Sequence, residues 1–261
     1  MTNSPFFDDV EFSYENVYVD CPSCKKPIIY NRVSDLQDLG YISGMDVHCL
    51  HPECQHPFRI GGDTINPRHQ LLLYDCNRLF KEKRYTACVL YAAQACEVFC
   101  ALYFRIKFGY LPYSRESKGN SLQYLPVSKL NALMNLLNET IRPFAFVALR
   151  NAFLHTVLKG TSPDNIVAAE GAIKALPHLS CSCPSDAATS QYPDTAVAAL
   201  LQAFKNCTVN ELRNNVVHKA VYLPSAQEAE SSVKAVGDIL YPLGARLQVV
   251  TEDFGWYDKH A

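Results

Sequence analysis

Residues 85–104 read YTACVLYAAQACEVFCALYF, and the apolar character continues to residue 108. Apolar side chains fall on every face instead of along one stripe, the pattern of a helix surrounded by other helices. This segment predicts the central helix of an α-helical bundle. Thr86, Gln94 and Glu97 interrupt it, so it falls short of the roughly 18 consecutive apolar residues of a membrane span, and no membrane partner is expected. Cys88, Cys96 and Cys100, with Cys76 upstream, sit on apolar helical sequence, where cysteine acts as a small hydrophobe. Glu97 is the exception on this helix. An unpaired carboxylate there would be costly, so it is expected to pair with a buried arginine.

On the C-terminal side, helical periodicity marks further helices at about 127–139, 143–158, 164–178, 195–205, 208–220 and 226–249. Turn formers and weak patterning assign 109–126 and 181–194 to loops. On the N-terminal side a helix is expected over 68–82, beyond a break at Gly61, Gly62, Asn66 and Pro67 that marks a domain boundary. The expected architecture is mainly α: a helical bundle over 67–250 preceded by a small β zinc ribbon over 14–62.

The ribbon is read from C-x2-C at Cys21 and Cys24, then C-x4-C at Cys49 and Cys54. Tyr-, Val- and Ile-rich residues flank CPSC at 14–20 and 26–30, and MDVHCLHPECQHPFRI at 45–60 repeats the plan. Each pair presents two thiolates on a tight turn, and two such halves close a tetrahedral site for Zn²⁺. Four thiolates leave no open position, so this zinc is structural. His48, His51 and His56 lie beside the second pair as alternative ligands. Cys181 and Cys183 fall in a loop and Cys207 stands alone; a second metal site there would need a further ligand.

Composition narrows the function classes. The chain has 261 residues, 48% hydrophobic and 19% charged, with a formal net charge of −2. A near-neutral balance does not suit a protein that grips duplex DNA by broad counterion release. The best local cationic candidate is 81–118, where Lys81, Lys83, Arg84, Arg105, Lys107, Arg115 and Lys118 outnumber Glu82, Glu97 and Glu116. Its competing reading is a solvated helix end and loop. The start, MTNSPFFDDVEF, is acidic and lacks the basic and apolar regions of a signal peptide, so a cytoplasmic protein with reduced cysteines is expected.

Two helical segments share one motif. LRNAFLH holds Arg150, Asn151 and His155, and LRNNVVH holds Arg213, Asn214 and His218. Arginine offers a fork of donors that matches phosphate oxygens. Histidine exchanges protons near neutral pH. At 100° per residue, Arg213 and His218 are about 140° apart on a helix, so either Arg213 reaches round with its long side chain or the trio lines a cleft whose other wall comes from elsewhere, such as a second subunit. No carboxylate cluster for Mg²⁺ accompanies either copy. The implied chemistry is attack by the ribose 2′-hydroxyl on its own phosphate, with histidine as acid or base and arginine stabilising developing charge. The competing reading is that these polar groups anchor loops and helix ends.

At these residues the sequence resembles the HEPN superfamily, whose ribonuclease members carry Arg, a polar residue and His in this spacing on a helix of an α bundle. LRNNVVHKAVYLPSAQEAESSVKAVGDIL is similar to the closing helices of that domain, and residues 85–104 to its long central helix with an internal Glu, here Glu97. The resemblance implies metal-independent RNA cleavage, a homodimer with the motif at its interface, RNA as substrate, and a toxin or antiviral defence role under an antitoxin or regulator. It assigns Arg213, Asn214 and His218 as the primary catalytic set, with Glu97 supporting. The second set, Arg150, Asn151 and His155, departs from the family pattern. It is either a partial duplication forming the opposite cleft wall or a degenerate copy that caps helices. The alternative to an enzyme is a non-catalytic HEPN-like module that binds RNA, a nucleotide or a protein partner.

Overall fold

The structure is a computed structural model that describes residues 13–37, 44–60, 67–119 and 125–249. The expected boundary residues Gly61, Gly62 and Asn66 lie outside that set, as do the acidic start at 1–12 and the side chain of Lys118.

Four short strands come first. β1 (Asn16–Asp20) pairs antiparallel with β2 (Pro27–Asn31), and β3 (Met45–His48) with β4 (Pro57–Ile60). Their inward residues, Val17, Ile28, Tyr30, Val47 and Ile60, join Cys21, Cys49 and Leu36 in a core separate from that of the bundle. Among the described residues this core is too small to hold a module together by apolar burial alone.

The bundle runs α1 (Arg68–Lys81), α2 (Tyr85–Phe104), a π-helical segment (Arg105–Tyr110), α3 (Leu111–Gly119), α4 (Val127–Ile141), α5 (Phe146–Leu158), α6 (Ile166–Ser180), α7 (Asp186–Ser190), α8 (Thr195–Lys205), α9 (Val209–His218) and α10 (Ala226–Arg246). As its all-round apolar sequence requires, α2 is central, with α1, α5, α9 and α10 packed on it. Phe99, Phe153 and Phe204 bring α2, α5 and α8 together edge to face, with ring centroids 5.6–6.5 Å apart. The four cysteines Cys76, Cys88, Cys96 and Cys100 are buried in this core, as their apolar surroundings predict.

Two loop expectations are corrected. Residues 109–126 do not form one loop: the helix passes through a π-turn and continues as α3 to Gly119. Ile106, Phe108, Tyr110 and Tyr113 are buried along it, which supplies the packing that outweighs the turn-forming residues. Gly109 is a contact residue, because a Cβ there would stand 2.1 Å from Cε of the buried Met134. Gly109→Val is therefore expected to destabilise the protein toward the upper end of the ~1–3 kcal/mol of overpacked cores, read as a lowered urea midpoint. Within 181–194, Ser185 caps the short α7 by accepting from the Ala188 amide at 3.1 Å.

By length and composition the helical run Tyr85–Ser117 is apolar enough to cross a membrane, although its charged and polar residues argued otherwise. More than half of its most apolar stretch is buried inside the bundle. Contact with neighbouring helices accounts for that apolarity.

Candidate functional site

The cysteine site is assembled by two matching knuckles. The Cys21 amide donates to the Lys26 carbonyl at 3.0 Å, and the Lys25 amide to the Cys21 carbonyl at 2.9 Å. In the second knuckle the Cys49 amide donates to the His56 carbonyl at 3.0 Å and the Cys54 amide to the His51 carbonyl at 2.9 Å. The residue after each second cysteine, Lys25 and Gln55, takes a positive φ of 60° and 46°, which turns the chain tightly enough to aim both thiols inward. The four sulfurs lie within 4.8 Å of one another. Cys21 and Cys54 are 3.7 Å apart and Cys24 and Cys49 3.8 Å, far beyond a disulfide bond.

This group can hold a metal ion. Burial opposes ionisation of the Cys21 thiol, but hydrogen bonds from the Cys24 and Ser23 amides and the Cys24 and Cys49 thiols together outweigh it and bring it down to about 6. Burial and the neighbouring thiols push Cys49 up to about 12. The first thiolate thus forms readily and discourages the next, a repulsion that a bound cation relieves. The histidines are not needed: His48 and His56 are exposed, and the His51 ring contacts the Pro27 carbonyl at 3.2 Å.

The two R-N-x3-H copies have different surroundings. On α5, Asn151 is buried and its Nδ2 donates to the Ser180 carbonyl at 3.3 Å; the His155 Nε2 lies 3.0 Å from the Ser182 carbonyl. Both side chains hold the end of α6 and the turn after it, the anchoring role of the competing reading. Arg150 turns instead toward α2, where its charge acts on Cys96 and Cys100, and its guanidinium lies 5.8 Å from the Phe146 ring centre. This trio does not converge.

The α9 copy is open. Val209 is the one buried residue of that helix; Arg213 and Asn214 are half-buried, and His218 is exposed at its C-terminal end. The Arg213 Nη1 donates to Asn214 Oδ1 at 3.2 Å. Glu97 projects from α2 toward this site. Burial holds its carboxyl above the ordinary range, and the charge of Arg213 offsets only part of that rise. Among the described residues Glu97 forms no ion pair with a buried arginine; the cation that acts on it is the half-exposed Arg213. Cys96 and Cys100 feel both Arg150 and Glu97, so the arginines of both motifs approach the same turn of α2.

Sequence reading missed a cleft of about 670 Å³ between α9 and α10. Glu211, Leu212 and Asn215 of α9 line it with Tyr222, Glu228 and Asp238, whereas Arg213, Asn214 and His218 do not. The spacing 211, 212, 215 was the available signal, since it defines the helix face opposite Arg213. Of the cationic segment, Arg84 is paired with Glu82 and Arg115 with Asp164, while burial and the nearby Arg115 lower Lys107. Those contacts favour the solvated-surface reading of 81–118. Comparison with protein-family models, curated proteins and solved structures finds no match to this chain.

Proposed function

We propose that this chain is a metal-independent RNA endonuclease of the HEPN type, with Arg213, Asn214 and His218 as its catalytic set and a structural zinc ribbon at its N-terminal side. The observation that carries the reading is the openness of α9: a guanidinium and an imidazole both reach solvent from one helix, five residues and about 7.5 Å of rise apart. In this scheme His218 takes the proton from a ribose 2′-hydroxyl. The oxygen attacks the adjacent phosphorus, the bond to the 5′-oxygen breaks, and a proton passes to the leaving oxygen. The products are a 2′,3′-cyclic phosphate and a 5′-hydroxyl. Arg213, oriented by Asn214 and Glu97, stabilises the charge on the phosphate oxygens.

The 140° between Arg213 and His218 leaves one wall of such a site unbuilt within the chain. A second copy supplies it. Val217, Val221 and Leu223, exposed beside His218, give that homodimer an apolar contact; Val221 is 96% exposed. Activity of this kind suits a cytoplasmic toxin or antiviral effector restrained by an antitoxin or other regulator.

For the ribbon, zinc is favoured by spacing. Four thiolates about 2.3 Å from a tetrahedral ion stand about 3.8 Å from one another, close to the 3.7 and 3.8 Å separations here.

The rival reading is a non-catalytic HEPN-like module. The net charge of −2 and the cleft rimmed by Glu211, Glu228 and Asp238 favour it, because neither attracts RNA. Incubating purified protein with mixed RNA in chelator, while following ribbon integrity by circular dichroism, separates the two. Wild type is expected to cut, and His218→Ala to lose at least about 10²-fold in rate. His155→Ala is expected to lower the melting temperature and leave cutting by the folded protein in place. RNA left intact by folded wild type would select the binding module.

A further inference from the structure

The strand that delivers Cys21 to the metal site is also the strand that completes a buried carboxylate of the bundle. The Ser13 Oγ accepts from the Glu15 and Asn16 amides at 3.2 Å each, a turn that launches β1. Between them, the Tyr14 amide donates to Asp75 Oδ2 at 2.7 Å. Asp75 lies on α1 and its side chain is 1% exposed. Its other oxygen meets Arg78 Nη2 at 3.4 Å. Arg78 also donates to the hydroxyl of Tyr18, in the middle of β1, and Arg68 lies 4.6 Å over the Tyr14 ring. On α2, burial and then the charge of Glu15 raise the Tyr91 hydroxyl.

We infer that this contact is a latch through which metal occupancy of the ribbon sets the packing of α1 against α2. The inference rests on the four-cysteine metal reading and is independent of any nuclease activity. Without the metal, the small ribbon core does not hold β1 in place, and the Tyr14 amide and the Tyr18 hydroxyl leave with it. Asp75 then keeps Arg78 as its partner and loses its shortest hydrogen bond, so the ribbon-facing side of α1 is held less firmly. Since α1 packs along α2, the helix that carries Glu97, the metal state of the ribbon reaches the surroundings of Arg213 through contiguous helix packing. Linkage makes the coupling reciprocal: a change at Asp75 must alter metal affinity.

The test uses the full chain. Hydrogen exchange is compared between protein loaded with one zinc and protein stripped by chelator. Amides of α1 are expected to exchange at least tenfold faster without metal, while those of α5 and α6 keep their rates. Zinc affinity is then measured by competition with a chromogenic chelator in wild type, Asp75→Ala and Tyr18→Phe. Both variants leave every cysteine in place, and both are expected to bind zinc about fivefold or more weakly. Tyr18→Phe is a mild change that serves if Asp75→Ala does not fold. Uptake of one zinc with unchanged α1 exchange and unchanged affinity in the variants would overturn the latch alone. Failure of wild type to take up any metal would overturn the metal reading and the latch together.

Discussion

Replacing Cys49 with serine is expected to release the metal and unfold the strands β1–β4. Among the described residues the ribbon core contains eight that are buried, of which Cys21 and Cys49 are themselves members of the four-cysteine cluster. On the metal-bound reading proposed above, most of what orders the module is the ion. For small zinc modules, metal binding contributes on the order of 10–16 kcal/mol, and that free energy is folding free energy. A serine hydroxyl is a poor replacement for a thiolate ligand, so loss of one of four ligands forfeits much of it. Contacts that depend on strand pairing go with it, including the Tyr30 hydroxyl donating to the His48 carbonyl at 2.7 Å. The metal content of Cys49→Ser, measured by atomic spectroscopy, should fall well below one per chain. The dispersed amide signals of β1–β4 should collapse in nuclear magnetic resonance spectra. The helices α4–α6, which take no part in the ribbon, should keep their helical circular dichroism. A variant that retained both its metal and its strand signals would contradict the account.

The four-cysteine cluster was legible because metal chemistry is written in local spacing: two close pairs of cysteine need only a turn each. The central helix was legible for a similar reason, since apolar residues on every face leave no other stable placement for residues 85–104. Residues 109–119 were not. Gly109 and Pro112 read as turn formers, yet Gly109 serves close packing against Met134, and Pro112 is carried inside a helix that runs on from the π-helical segment Arg105–Tyr110. The motif copies show where pattern reading ends. Arg150 and Arg213 share identical spacing to their histidines, and nothing within either heptapeptide states that Asn151 and His155 meet the Ser180 and Ser182 carbonyls. That difference comes from the path of α6, which passes one copy and leaves the other exposed.

Acid should destabilise this protein through His69. The residue is 1% exposed in the first turn of α1, and neither ring nitrogen has a hydrogen-bond partner among the described residues. Its ring lies edge-on to Phe99 with centroids 5.1 Å apart. Burial pulls its pKa down from the ordinary 6.5 to about 3. The positive end of the α1 dipole disfavours the imidazolium further. Above about pH 6.5 both folded and unfolded chains hold the ring neutral, and His69 contributes no pH dependence. Between pH 6.5 and 3 the unfolded chain binds a proton that the folded chain does not, so stability falls with pH by at most about 1.4 kcal/mol per unit. That amounts to about 2 kcal/mol by pH 5 and roughly 4–5 kcal/mol at pH 3. Buried carboxylates act in the opposite sense: Asp75 and Glu97 have raised pKa values, so protonating them restores stability as pH falls. Comparison with His69→Leu cancels those contributions, because both proteins carry them. Urea unfolding at pH 7 and pH 5 is expected to show wild type losing about 2 kcal/mol more than His69→Leu over that interval. The variant should also be at least as stable at pH 7, since it removes two unpartnered buried nitrogens from an apolar site. Equal pH dependence in the two proteins would mean that the imidazole finds a partner or a path to water on protonation, and would refute the buried neutral histidine as the source of acid sensitivity.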